Sequence, residues 1–107
     1  MIDLTALIQD LEANGGPSWR LDKCIWYIID PAMEDYPFRR APNYTGDLSI
    51  ARSLFGPRRY TMTPLQGKWQ AWIAMQDNNY AIGHSGCANT EPLALCAAAL
   101  RLKQQEG

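Results

Sequence analysis

The chain has 107 residues, 47% of them hydrophobic and 20% charged, with a formal net charge of −1. That length fits one domain, residues 1–107, able to bury about two-thirds of its unfolded surface without crosslinks. The composition excludes a disordered chain, and no apolar run approaches the ~20 residues of a membrane-crossing helix, so no membrane contact is expected.

Asp3 is placed to cap a helix with Leu4, Leu7, Ile8 and Leu11 on one face, ended by Asn14-Gly15-Gly16 in a left-handed C-cap. Ser18 caps a second helix with Leu21, Cys24, Ile25 and Ile28 inward, while Trp26, Tyr27 and Ile29 make its other side apolar. Asp30-Pro31 stops it, because the residue before a proline is pushed out of the α region. Residues 31–43 then form a proline-rich loop anchored by Met33, Tyr36 and Phe38, and a loop of this length is the first place to look for a contact surface. The competing reading is a loop draped over the core by those same side chains.

Thr45 is the expected N-cap of a third helix over residues 45–55, closed by Gly56-Pro57. Three strands follow. Residues 59–63 offer Tyr60 and Met62 to one face, Pro64 to Gly67 turns the chain, and residues 68–75 place Trp69, Ala71, Ile73 and Met75 opposite Lys68, Gln70, Trp72 and Ala74. Asp77-Asn78-Asn79 reads as a hairpin leading to a third strand over residues 80–84. A final helix from about Thr90 is apolar around its circumference from Leu93 to Leu100, which makes it the most buried one. Neither face of the middle strand is fully polar, so the sheet is expected to be covered on both sides. The fold expectation is α+β: a three-layer α-β-α sandwich in the order α-α-α-β-β-β-α, its strands an antiparallel meander.

Chemistry-bearing constellations are sparse. Cys24, Cys87 and Cys96 lack C-x-x-C spacing, which argues against a disulfide framework or zinc knuckle and for structural thiols; no metal site is expected. His84 with Cys87 is the one pair resembling a thiol hydrolase, yet no orienting group or oxyanion site is apparent. No glycine-rich phosphate loop is present, so no cofactor is expected. The charge is segregated: residues 1–38 hold seven acids and two bases, whereas Arg39 to Lys68 hold six bases and one acid. In that basic third Arg39, Arg40, Tyr44, Arg58 and Arg59 are the candidate ligand-binding residues, since arginine matches phosphate and aromatic rings stack on bases. The competing reading is that these arginines are solvated or answer the acids of residues 1–38.

Four local sequences occur in a telling order: Leu7-Ile8-Gln9-Asp10-Leu11-Glu12-Ala13, Gly16-Pro17-Ser18-Trp19-Arg20-Leu21-Asp22, Pro42-Asn43-Tyr44-Thr45-Gly46-Asp47-Leu48, and the helix from Glu91 to Arg101. Together they resemble small phage and prophage proteins described as the phage ABA sandwich domain. The stretches from Pro31 to Arg40 and Gly83 to Asn89 depart from that pattern. The resemblance implies an α-β-α sandwich of phage or prophage origin and carries over no catalytic residue. The functional expectation is a non-enzymatic accessory protein that binds a partner in the cytoplasm of a bacterial host. The first alternative is a nucleotide or nucleic-acid binder, such as an anti-defence sponge, and the second a thiol hydrolase using Cys87 and His84. Trp19, Trp26, Tyr27 and Trp72 are more aromatic surface than a small core needs, so a homodimer is also expected.

Overall fold

The computed structural model describes residues 3–74 and 84–106. Helix α1 (Leu4–Ala13) starts where Asp3 accepts hydrogen bonds from the amides of Thr5 (3.0 Å) and Ala6 (3.4 Å), and it buries Leu7, Ile8 and Leu11. Its end differs from expectation. Asn14 is extended at φ −71°, and its side-chain amide donates to the Gly16 carbonyl at 2.6 Å, so no left-handed glycine is used. Helix α2 (Trp19–Ile29) is capped by Ser18, whose hydroxyl accepts from the Leu21 amide at 3.2 Å, and buries Leu21, Asp22 and Ile25.

Residues Pro31–Asp35 form a 3-10 turn, and the loop beyond them does not drape its rings on the core: Tyr36 is 50% exposed and Phe38 fully exposed. The third helix is also corrected. Helix α3 covers only Leu48–Arg52, capped by Asp47, which accepts from the amides of Ser49 (2.8 Å) and Ile50 (3.2 Å), and Ser53–Phe55 continue as a 3-10 turn. Thr45 is instead fully buried, because a better use for its hydroxyl lies across the fold on α2.

Strands β1 (Tyr60–Leu65), β2 (Lys68–Ile73) and β3 (His84–Ala88) form an antiparallel sheet in the order β1-β2-β3. Gln66 and Gly67 join the first two with positive φ at both positions (49° and 82°), the backbone of a tight two-residue hairpin turn. Pro64 therefore lies in β1 rather than in the turn. The Ala74 amide donates to the Arg59 carbonyl at 3.0 Å, which sets the phase of the ladder. Residues 61, 63 and 65 bond toward β2, and the backbone groups of Tyr60, Met62 and Pro64 point to the open edge, where a proline lacks no needed donor. Strand β3 is a second correction: it runs through His84–Ala88, a stretch expected as a connection. The hairpin at Asp77-Asn78-Asn79 and the strand over residues 80–83 lie outside the described residues.

Helix α4 (Glu91–Glu106) explains that correction. It packs on β2 and β3 with one side and on α1 and α3 with others, so every residue from Leu93 to Leu100 is buried. Gly86 sits beneath it: a Cβ there would lie 2.6 Å from the Ala98 amide nitrogen and 2.8 Å from the Ala97 Cβ, besides meeting the Ala94 carbonyl. The alanines of α4 and the glycine of β3 are one close contact between backbones. On the face of β2 toward α4 lie Ala71 and Ile73, both buried, while the opposite sheet face carries Thr61, Thr63 and Lys68, which are exposed, and Gln70, Trp72, Ser85 and Cys87, which are half-buried.

The outer edge of β3 is closed by side chains. In the same alternation Ser85 and Cys87 point their backbone groups away from β2. Glu12 accepts from the Cys87 amide at 3.0 Å, and Arg101 donates to the Ser85 carbonyl at 2.8 Å while pairing with both Glu12 oxygens at 2.6 Å. The ion pair thus supplies one acceptor and one donor where a fourth strand would have supplied them.

Candidate functional site

Among the described residues, the exposed aromatic side chains Trp19, Tyr36 and Phe38 gather on one part of the surface. Trp19 opens α2 on the side opposite its buried stripe of Leu21 and Ile25, and is 74% exposed. Lys23, four residues on, is therefore its neighbour on the helix, with Nζ 5.4 Å from the Trp19 ring centroid. The same ammonium donates to the Pro37 carbonyl at 2.6 Å, which ties the loop to α2. In that loop the Arg39 guanidinium lies 4.9 Å from the Tyr36 ring centroid, and the Arg39 amide donates to the Tyr36 carbonyl at 3.0 Å.

A second tie holds the far end of the loop. Asp22, next to Lys23 and only 6% exposed, accepts from the Thr45 amide at 2.7 Å and from its hydroxyl at 2.8 Å; the Ser18 amide donates to that hydroxyl oxygen at 2.8 Å. Adjacent residues of one helix turn therefore pin the loop at positions 37 and 45. Between the ties lies an open groove of about 720 Å³, lined by Pro17, Ser18, Trp19, Asp22, Lys23, Arg40, Ala41 and Asn43.

The five residues singled out by sequence are not brought together. Arg40 lines this groove and Arg39 stands on the adjoining turn. Tyr44 is 6% exposed, its ring part of the core and its carbonyl accepting from the Cys96 thiol at 3.3 Å; burial raises its phenol above the ordinary value, with the nearby Cys96 and Asp22 adding to the effect. Arg58 lines a different, smaller groove of about 350 Å³ with Leu54, Phe55 and Lys103. Arg59 is exposed at the entrance to β1. Arg52, another base of that third, is used internally: its guanidinium covers the Phe55 ring at 4.6 Å and donates to the Gly56 carbonyl.

No protein-family model, curated protein or solved structure matches this chain. The resemblance to the phage family rests on the four quoted sequences.

Sequence reasoning passed over Asp22 and Lys23 as site residues and placed Trp19 only in the aromatic surface of a homodimer. The signal for Trp19 and Lys23 was present, since both fall opposite the apolar stripe of α2, but Asp22 is recruited by a residue 23 positions away and nothing local announces it. Positions 84 and 87 are an odd number of residues apart on β3 and so belong to opposite faces of the sheet; the His84 side chain itself lies outside the described part of the structure. The Cys87 amide is engaged by Glu12. Among the described residues no group of three or more His, Cys, Asp and Glu is gathered to hold a metal, and no helix is long and apolar enough to cross a membrane.

Proposed function

We propose that this chain is a small binding protein without catalytic chemistry, and that it meets its partner with the surface built from the start of α2 and the loop pinned to it. The observation that carries this reading is the exposure of Trp19, Tyr36 and Phe38 beside Lys23, Arg39 and Arg40. Three large rings in water cost hydrophobic free energy that the fold does not recover by itself, at about 25 cal/mol per Å² of apolar surface, whereas aromatic and arginine side chains are the usual anchors of interfaces. A loop held at both ends loses little further freedom on binding.

The resemblance to phage and prophage proteins sets the proposed context, an accessory role in the cytoplasm of a bacterial host. The α-β-α layer order of that family belongs to the same proposal. Trp72, half-buried on the sheet face away from α4, is the side chain a further layer would cover. A homodimer belongs to the proposal too, with Trp19 as the exposed ring available for it; light scattering at two concentrations tests this.

The main test is capture from infected host cells with the wild-type protein and with Trp19→Ala/Phe38→Ala, followed by mass spectrometry of bound proteins, nucleic acids and small molecules. A partner held by wild type and lost by the variant is expected. Identical sets for the two proteins would remove this surface from the account. Hydrolysis of an ester or peptide panel by wild type, abolished in Cys87→Ala, would replace the binding reading with an enzymatic one.

A further inference from the structure

Resting on that reading of the surface, we infer that the groove between α2 and the pinned loop takes a nucleoside phosphate, either free or as one unit of a single strand. Its lining is of mixed character, and that mixture selects among ligands. Trp19 supplies a stacking wall, 74% exposed, and base–aromatic stacking contributes about 1–3 kcal/mol per base. Arg40 is exposed with no protein partner among the described residues, so its planar fork of donors is open to a phosphate. Lys23 adds a positive charge fixed in place by its bond to the Pro37 carbonyl.

Asp22 decides against a simpler anion. Asp22 is among the residues lining the same groove; it is 6% exposed, and Oδ1 of its carboxylate is held in place by the amide and hydroxyl of Thr45. An acidic peptide or a bare polyanion filling the groove would bring negative charge against it. A nucleotide has the opposite arrangement of its two ends: an N–H-bearing base edge for the carboxylate and a phosphate for Arg40 and Lys23. The volume, about 720 Å³, lies within the usual range of small-molecule sites, roughly 300–1,000 Å³. Beyond the groove, Phe38 and Tyr36 remain exposed as stacking faces for neighbouring bases of a strand.

The test is calorimetric titration with the four ribonucleoside 5′-monophosphates, short single-stranded oligonucleotides of each base, and an acidic peptide, at low and high salt. Binding of a monophosphate or an oligonucleotide is expected, weakened by salt and reduced about tenfold or more by Trp19→Ala and by Arg40→Ala. Arg40→Ala removes an exposed side chain that has no partner among the described residues, and an unchanged thermal transition verifies that it folds. Monophosphate binding identifies a free nucleotide as the source; oligonucleotide binding alone identifies a strand. Failure of every nucleotide to bind, or equal binding by wild type and both variants, overturns the inference. If the acidic peptide alone binds and Trp19→Ala abolishes it, the nucleotide falls while the surface stands as a binding site.

Discussion

Gly86 shows how one missing side chain fixes the approach of a helix to a sheet. Its φ is not in the left-handed region, so the demand for glycine is purely steric. Gly86→Ala is expected to cost about 3 kcal/mol, seen as a lower urea midpoint at unchanged slope, because backbone rather than a flexible side chain blocks the Cβ. Gly15→Ala, with nothing within 4 Å, is the control and is expected to leave stability within about 1 kcal/mol of wild type. Thr45→Val is shape-conserving but removes the hydroxyl that joins Ser18 to Asp22, and a loss of about 1–3 kcal/mol is expected in the same measurement. Thr45 looked like a cap in the sequence because threonine next to a helix commonly is one. Asp47, two residues on, does that work, and only the tertiary contact to α2 reveals the difference.

Among the elements, α4 and the edge of β3 carry most of what holds the fold. Leu95 is fully buried, and Leu95→Ala is expected to cost about 2–5 kcal/mol. A chain stopped after Thr90 is expected to show no cooperative thermal transition by circular dichroism, since α1, α3 and the sheet share α4 as their common neighbour. The burial of α4 was legible as an unbroken apolar run. Strand β3 was not, because Ser85-Gly86-Cys87-Ala88 has the small-residue composition of a loop; of these, Gly86 and Ala88 share the face toward α4, and Gly86 has no room for a Cβ beneath that helix.

The Glu12–Arg101 pair is partly exposed, so its charge attraction alone is worth at most about 1 kcal/mol; its larger role is to satisfy the backbone of β3. Burial pushes the Glu12 carboxyl up, but the Arg101 guanidinium and the Cys87 amide outweigh that and hold it below its ordinary value. A carboxyl lowered by folding stabilises the native state above the ordinary carboxylate range and loses that contribution as pH falls through its folded value. Urea midpoints from neutral to acid pH are therefore expected to drop on the acid side, less steeply in Glu12→Gln than in wild type.

For the whole molecule, the Cα radius of gyration of 13.0 Å matches the roughly 13 Å expected of a compact domain this long. The α+β class and the antiparallel pairing of β1 with β2 could be read from periodicity, whereas the third strand was expected at residues 80–84 and is found at His84–Ala88. The site could not be read from charge. A basic third in the sequence becomes scattered positions in space, Arg52 against Phe55, Arg58 in one groove and Arg40 in another, because chain proximity and surface proximity part company once loops fold back on helices. What the surface does assemble comes from residues 17–23 and 36–45, the first of which belongs to the acidic part of the chain.

Pro64 has a consequence for how the molecule meets other chains. The sheet has two rims, and side chains occupy one of them, whereas at the other no strand among the described residues pairs with the backbone of Tyr60 and Met62. A proline placed next in that row withholds a donor from an incoming chain and shortens the run it could zip onto. Pro64→Val should turn this rim into a template, and seeded fibril growth of the variant under conditions where the parent stays monodisperse is the signature to look for.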